Sequence, residues 1–425
     1  MLHRPWPLLL LLVACRATVP EWVSEPTEPL RPQPEPSAAT DPTPSSPWAD
    51  SDRHVLLVSL DGVRWDYLDR VDTPALDRIV AEGVRADGLV PVFPSKTFPN
   101  HFTQVTGLYP SEHGIVGNSF YDEELQDSFD MSELGSEWWG GEPIWITATK
   151  QGLRATTMYW PGSETAYDGI RPDEWVPFDP PIRNDRRVDQ VLAWFDEEQP
   201  PHFATLYMSD VDGEGHSHGP ESDQVEAAMV HVDDMLQRLL DGLEQRKLLD
   251  RVDLLVVSDH GMTDLSRERA IFLDDHVDPE DFWIAAWGPY VTLDPKNGDA
   301  TGVLDALQGL PHASCSDDAS RPSELHFPSG PRIPAILCVA EQGWGITSRE
   351  WFDDHPSDLT GATHGYAPSD PDMHGLFVAR GPHLVQGERH DAFSSIHLYA
   401  LMAELLQVTP APHSGDLGEV DDLLR

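Results

Sequence analysis

Apolar strand-like runs in this chain end repeatedly on residue types that bind metals. HVLLVSL at 54–60 runs into Asp61, FATLYMS at 203–209 leads to Asp212 and His216, and VDLLVVS at 252–258 runs into the adjacent pair Asp259 and His260. His364 sits in a further segment, GATHGY. Residues so far apart in sequence converge only if the carboxyl ends of several strands lie side by side. In open α/β sheets that edge is where ligands bind. Mixed Asp and His shells suit zinc, and paired metals suit in-line displacement at phosphorus. The expected cofactor is therefore two Zn2+ per chain.

The rest of the chain agrees with such a sheet. Strands are expected at 54–60, 155–159, 203–208, 252–258 and 375–379, and helices at 74–83, 97–106, 186–197, 221–247 and 393–406. Alternation of this kind reads as an α/β fold with a largely parallel central sheet flanked by helices. Residues 265–350 break the pattern with NGD and several Pro and Gly turns, and read as an inserted lid subdomain within a catalytic domain spanning 54–425. Cys315 and Cys338 lie in that segment and are expected to pair in an exported protein.

Export is expected from the N-terminus. His3 and Arg4 precede the apolar run 8–13, and the stretch Leu12-Val13-Ala14-Cys15 looks like a bacterial lipobox, with Cys15 the lipidated residue and 1–15 the signal segment. Residues 16–53 are dense in Pro, Glu, Ser and Thr and cannot bury a core, so they read as a disordered tether. The expected location is the bacterial cell envelope, periplasm or outer membrane, held by acyl chains without a spanning helix. The formal net charge of −45 argues against a broad nucleic-acid-binding surface, although metals can make one pocket positive for an anionic substrate. Oligomeric state is not legible.

Several residues have both a chemical and a structural reading. Thr97 in PSKTFPNH opens a helix whose free N–H groups favour a phosphate, and it is the candidate nucleophile; a plain helix-capping Thr is the alternative. Asn118 in GIVGNSFYD could donate to a phosphoryl oxygen in the transition state, or simply form a turn. Asp212 and His216, four apart across a glycine loop, can converge on one metal, whereas Asp210, Glu214 and His218 read as solvated loop groups. His374 in DMHG competes with His364, which is preferred.

These residues together closely resemble the nucleotide pyrophosphatase/phosphodiesterase family of the alkaline phosphatase superfamily. The likeness runs from about residue 54 to 412: LDG at 60–62, SKTFPNH at 95–101, GLYPSEHGI at 107–115 with Asn118 after it, WPGS at 160–163, the DxxGHxxGP pattern at 212–220, SDHGM at 258–262, HGY at 364–366 and the closing YALMAELLQVTPAP. The resemblance implies an alkaline-phosphatase-like fold and hydrolysis of small phosphodiester or pyrophosphate substrates, nucleotides foremost, to nucleoside monophosphates through a phosphothreonine on Thr97. Lysophospholipid or glycerophosphocholine-type diesters are the alternative. It assigns Asp61, Thr97, Asp259 and His260 to one zinc and Asp212, His216 and His364 to the other. Phe98 and Tyr207 match positions that stack on a nucleobase, and Lys96 matches a lysine beside the nucleophile. Where the family usually carries Asp-Asn after HGY, this chain has Ala367-Pro368. Three Asp and two divalent ions leave about +1 in the site, which complements a monoanionic diester better than a dianionic monoester.

Overall fold

A computed structural model describes residues 52–177, 182–355 and 359–425. The signal segment, Cys15 and nearly all of the expected tether lie outside them. The central sheet has eight strands: β1 His54–Leu60, β2 Val84–Ala86, β3 Ala155–Met158, β4 Glu174–Val176, β5 Phe203–Met208, β6 Val252–Val257, β7 Phe377–Arg380 and β8 Glu388–His390, in spatial order β8-β2-β7-β6-β1-β5-β3-β4. β1 pairs in parallel with β5 and β6 along almost its whole length. Only β7 runs against its neighbours, antiparallel to both β6 and β2.

The apolar runs are continuous because both faces of these strands are covered. Val55 and Leu57 of β1, with Leu255 and Val257 of β6, point into one core. That core is closed by α2 (Thr97–Thr106), by the helix Ile144–Lys150 and by α6 (Leu398–Leu406). Leu56, Val58 and Leu60, with Leu254 and Val256, point into the other. There α1 (Pro74–Glu82), α3 (Asn184–Trp194) and the long α5 (Asp223–Gln245) lie across the sheet.

DVDGEGHSH, read from sequence as a glycine loop, is a helix, α4 (Asp210–His218). Its glycines weaken it, but acids in the first turn and histidines in the last complement the helix dipole. Gly215 also lies where a Cβ would crowd Met262.

The excursion between β6 and β7 builds its own four-stranded antiparallel sheet, in spatial order Phe282–Ile284, Tyr290–Pro295, Ile336–Ala340 and Ala313–Ser316. A separate apolar cluster that includes Phe282, Leu293, Leu307 and Ile336 packs beneath it. Cys315 and Cys338 face each other on adjacent strands of this sheet and form a disulfide. The excursion is closed at its base by a short antiparallel ladder, Thr263 opposite Thr363 and Asp264 opposite Ala362.

Candidate active site

Strand direction gathers the site. β1, β5 and β6 are parallel, so Asp61, Asp212 at the start of α4, and Asp259 all emerge at one edge. β7 is reversed, so its amino-terminal end lies at that same edge and the preceding HGY loop delivers His364 there. Gly62 lets two of these segments meet. Its φ is +70°, and a Cβ there would sit 2.8 Å from the Asp212 backbone.

The six side chains fall into two triads, Asp61–Asp259–His260 and Asp212–His216–His364, each with its ligating atoms within 4.8 Å of one another. In the first, His260 Nε2 lies 3.0 Å from Asp259 Oδ2 and 3.5 Å from Asp61 Oδ1. In the second, His216 Nε2 lies 3.4 Å from Asp212 Oδ1 and 3.1 Å from His364 Nε2. The rings of His260 and His364 stack with centroids 3.5 Å apart, which joins the triads into one centre.

The donor set fits a pair of cations. Among the described residues, Asp61 Oδ1, Asp212 Oδ1 and Asp259 Oδ2 are buried without a hydrogen-bond partner. Buried polar atoms are rarely left so. Each histidine places Nδ1 against a backbone carbonyl: His216 to Ala362 O, His260 to Gly261 O and His364 to Ser95 O. Those acceptors fix the proton on Nδ1 and turn the Nε2 lone pair inward, the usual outer-shell arrangement of metal-binding histidines. Burial, with His260, Lys96 and His216 nearby, holds His364 well below the usual histidine range, so it is neutral. Burial and the neighbouring Asp259 and Asp212 push Asp61 well above the carboxylate range. Lone pairs facing one another across about 3 Å, beside three clustered acids, need positive charge between them.

Thr97 is the first residue of α2, with its Oγ1 3.4 Å from His260 Nε2. Lys96 precedes it. Its side chain passes over Gly365, where a Cβ would come within 2.7 Å of Lys96 Cε. Burial pulls the Lys96 ammonium down to about 8, with Asp212 opposing. Asn118 lies beside the same helix turn, and its Oδ1 accepts the Phe98 N–H at 3.0 Å. That bond leaves the amide NH2 as the end free to donate outward. Asn118→Ala is expected to lower kcat by about 10²–10³-fold with little change in KM, as for loss of one transition-state donor, and steady-state kinetics on a phosphodiester would check it.

Tyr207 sits within β5 at 4% exposure, its ring lies T-shaped against His101, and its hydroxyl donates to Asp61 Oδ2 and so orients that carboxylate. Phe98 packs against Phe129 and Trp139 in an aromatic wall beside Thr97. His374 belongs to neither triad; its Nε2 pairs with Pro368 O. Asp210 is held by Asn184, and Glu214 lies 3.4 Å from His218 one turn along α4.

Sequence reasoning missed His101. Its Nδ1 lies 2.9 Å from Thr97 O and 3.3 Å from Asp259 Oδ2, and its Nε2 lies 2.8 Å from Ser59 Oγ. His260 and His101 overcome burial to hold Asp259 well below the carboxylate range. The available signal was its place one helical turn after Thr97. Ser95 was missed as well. Its Oγ donates to Tyr366 O and accepts from Gly365 N–H, tying the His364 loop to the threonine segment.

The chain is similar to proteins of one enzyme family. Residues 55–367 match the family described as type I phosphodiesterase / nucleotide pyrophosphatase. Human ectonucleotide pyrophosphatase/phosphodiesterase family member 5 is 34% identical over 87% of this chain and 78% of its own length. A venom phosphodiesterase of Crotalus durissus collilineatus is 35% identical over 87% of this chain, which spans only 46% of that protein. The solved structure of murine ectonucleotide pyrophosphatase/phosphodiesterase 5, an inactive variant in complex with AMP, superposes with a TM-score of 0.83 at 34% identity, covering 88% of this chain and all of that one. With this match over most of its length, the chain belongs to the type I phosphodiesterase/nucleotide pyrophosphatase family.

Proposed function

We propose that this chain hydrolyses phosphodiester or pyrophosphate bonds of nucleotides, releasing nucleoside monophosphates through a phosphothreonine on Thr97. The carrying observation is the pair of Asp/His triads, with three unpartnered buried carboxylate oxygens, beside a threonine at a helix amino-terminus. The AMP complex of the murine relative supports the nucleotide class. The triads would hold two divalent cations, zinc by donor chemistry, which when bound supply Lewis-acid polarisation and neutralise charge on the phosphoryl group.

The chain's own groups account for the rest. The start of α2 orients the phosphoryl group through its free N–H groups and dipole. Thr97 Oγ attacks phosphorus in line and the leaving alcohol or phosphate departs opposite. Asn118 donates its amide NH2 to a non-bridging oxygen. Water then attacks the same phosphorus, releasing the monophosphate and restoring the Thr97 hydroxyl. His101 holds the Thr97 carbonyl and Asp259 in register, and Tyr207 does the same for Asp61.

The proposal extends to location: an exported body, lipid-anchored through Cys15.

The test is a side-by-side assay of protein lacking residues 1–51 with added zinc, on p-nitrophenyl thymidine monophosphate, p-nitrophenylphosphorylcholine and p-nitrophenyl phosphate. Fastest turnover of the nucleotide diester is expected. Fastest turnover of the choline ester would move the substrate to phospholipid-type diesters, and fastest turnover of the monoester would overturn the diesterase reading. Phe98→Ala is expected to lower kcat/KM on the nucleotide diester by about 1–3 kcal/mol, the range of a base–aromatic stack, and to spare the choline ester. Equal losses on both would show that Phe98 is only part of the aromatic wall.

A further inference from the structure

The inserted segment does more than sit beside the sheet: one of its arginines reaches into the loop that carries Asn118. Arg332 Nε donates to Asp122 Oδ2 at 2.6 Å. Nη1 donates to Gly114 O at 2.9 Å and Trp138 O at 2.7 Å, and Nη2 to Glu137 O at 2.9 Å. The guanidinium also lies over the rings of Phe120 and Trp138. One side chain thus ties both ends of the stretch 114–138 together, with Asn118 between two of its anchor points.

Neighbouring contacts bring the same two segments together. Glu123 N–H donates to Pro331 O, Ser111 Oγ donates to His326 O, and the Tyr109 and His326 rings stack 3.8 Å apart. Gly114 adopts φ +84°, and a Cβ there would lie 2.5 Å from Arg332 Nη1, so the loop is shaped around the guanidinium. Asp122 in turn accepts the N–H groups of Glu124 and Leu125, which fixes the hairpin leaving the Asn118 turn.

We propose that Arg332 is a positioning residue, by which the inserted segment sets the placement of Asn118 against Thr97. The inference rests on the role given to Asn118 above. A planar fork with several donors is required, because the acceptors lie on three sides; a lysine ammonium cannot reach Asp122, Gly114, Trp138 and Glu137 at once. Misplacement of a catalytic group by an ångström is enough to slow chemistry by about 10²-fold.

The experiment compares wild type, Arg332→Lys, Arg332→Gln, Asn118→Ala and the double variant Arg332→Lys/Asn118→Ala. Kinetics on p-nitrophenyl thymidine monophosphate, zinc titration calorimetry and amide hydrogen exchange are read on each. Both Arg332 variants are expected to lose about 10–100-fold in kcat with KM changed less than threefold and zinc affinity unchanged. The double variant is expected within threefold of Asn118→Ala, because Arg332 acts through that residue. Exchange should quicken at 114–123 and at the Phe98 amide that Asn118 accepts, and stay unchanged across the rest of α2. Multiplicative losses in the double variant, weakened zinc binding, or protected amides at 114–123 would overturn the proposal. If Asn118→Ala alone has no kinetic effect, the role of Asn118 fails, while hydrogen exchange still decides whether Arg332 holds the loop.

Discussion

Thr97→Ala is expected to remove at least about 10³-fold from kcat on every phosphodiester, since loss of a nucleophile leaves only binding and electrostatic assistance. The protein should remain folded. Lys96, not Thr97, occupies the helix cap, and neither side chain makes a capping hydrogen bond. Alanine is well tolerated at the first helical position. Among the described residues, the Oγ1 contact with His260 Nε2, at 3.4 Å, is the one hydrogen bond lost. Calorimetry should therefore still show two zinc sites, and the melting temperature should move little. Thr97→Ser should keep a hydroxyl at the same place and retain most of the activity. Turnover by Thr97→Ala within tenfold of wild type would mean that water attacks directly, and the phosphothreonine step would fall.

Stripping the metals is expected to produce the second largest change, in stability as well as rate. A ligand bound only to the folded state stabilises by about 4 kcal/mol at a thousandfold excess over Kd, and the two triads offer two such sites. The metal-free protein should also respond to pH with an unusual sign. Burial, then Asp259 and Asp212, raises Asp61, while Asp259 overcomes burial to raise His260. Both groups hold protons more tightly folded than unfolded, so their contribution is present at lower pH and is lost as pH rises through their folded values. Asp259, held low, acts only below the ordinary carboxylate range, and His364, also held low, acts below about 6.5. Lys96, lowered to about 8, acts above it. As pH rises from about 6.5, where unfolded His260 gives up a proton that the folded protein keeps, to about 7.5, the chelated protein should therefore melt at falling temperatures. The zinc-loaded protein should do the opposite, because deprotonated ligands bind metal more tightly. Differential scanning fluorimetry at both pH values would show it; parallel pH trends with and without zinc would count against metal binding at these triads.

The parts of this fold that were legible share one physical cause. β1, β5 and β6 are buried on both faces, which writes an unbroken apolar run into the sequence, and Asp61, Asp259 and His260 come just after two of those runs. α2 was readable at both ends, with Pro99 in its first turn and Gly107 closing it. Three short strands left no such mark, because Val84–Ala86, Glu174–Val176 and Glu388–His390 have only three residues each. The reversal of β7 was hidden because composition does not encode strand direction. α4 was hidden by its two glycines. The contact of the Tyr207 hydroxyl with Asp61 was not legible, because a tyrosine in an apolar run gives no sign of where its hydroxyl points.

The ladder that closes the excursion at Thr263 and Thr363 carries a consequence for how such a protein can diversify. Everything between those residues leaves the Asp/His centre and returns to it within one ladder step, while Tyr290, Phe327 and Leu337 of that stretch pack into the main core. Length and shape can vary there at little entropic penalty, while His260 and His364 stay stacked at its foot. A graft of this stretch from a relative should therefore leave the two Asp/His triads in place as long as it keeps the side chains that fill the main core. Among the ties on that freedom is the grip at Gly114 and Trp138: a donor stretch must bring its own fork to take hold of the asparagine loop.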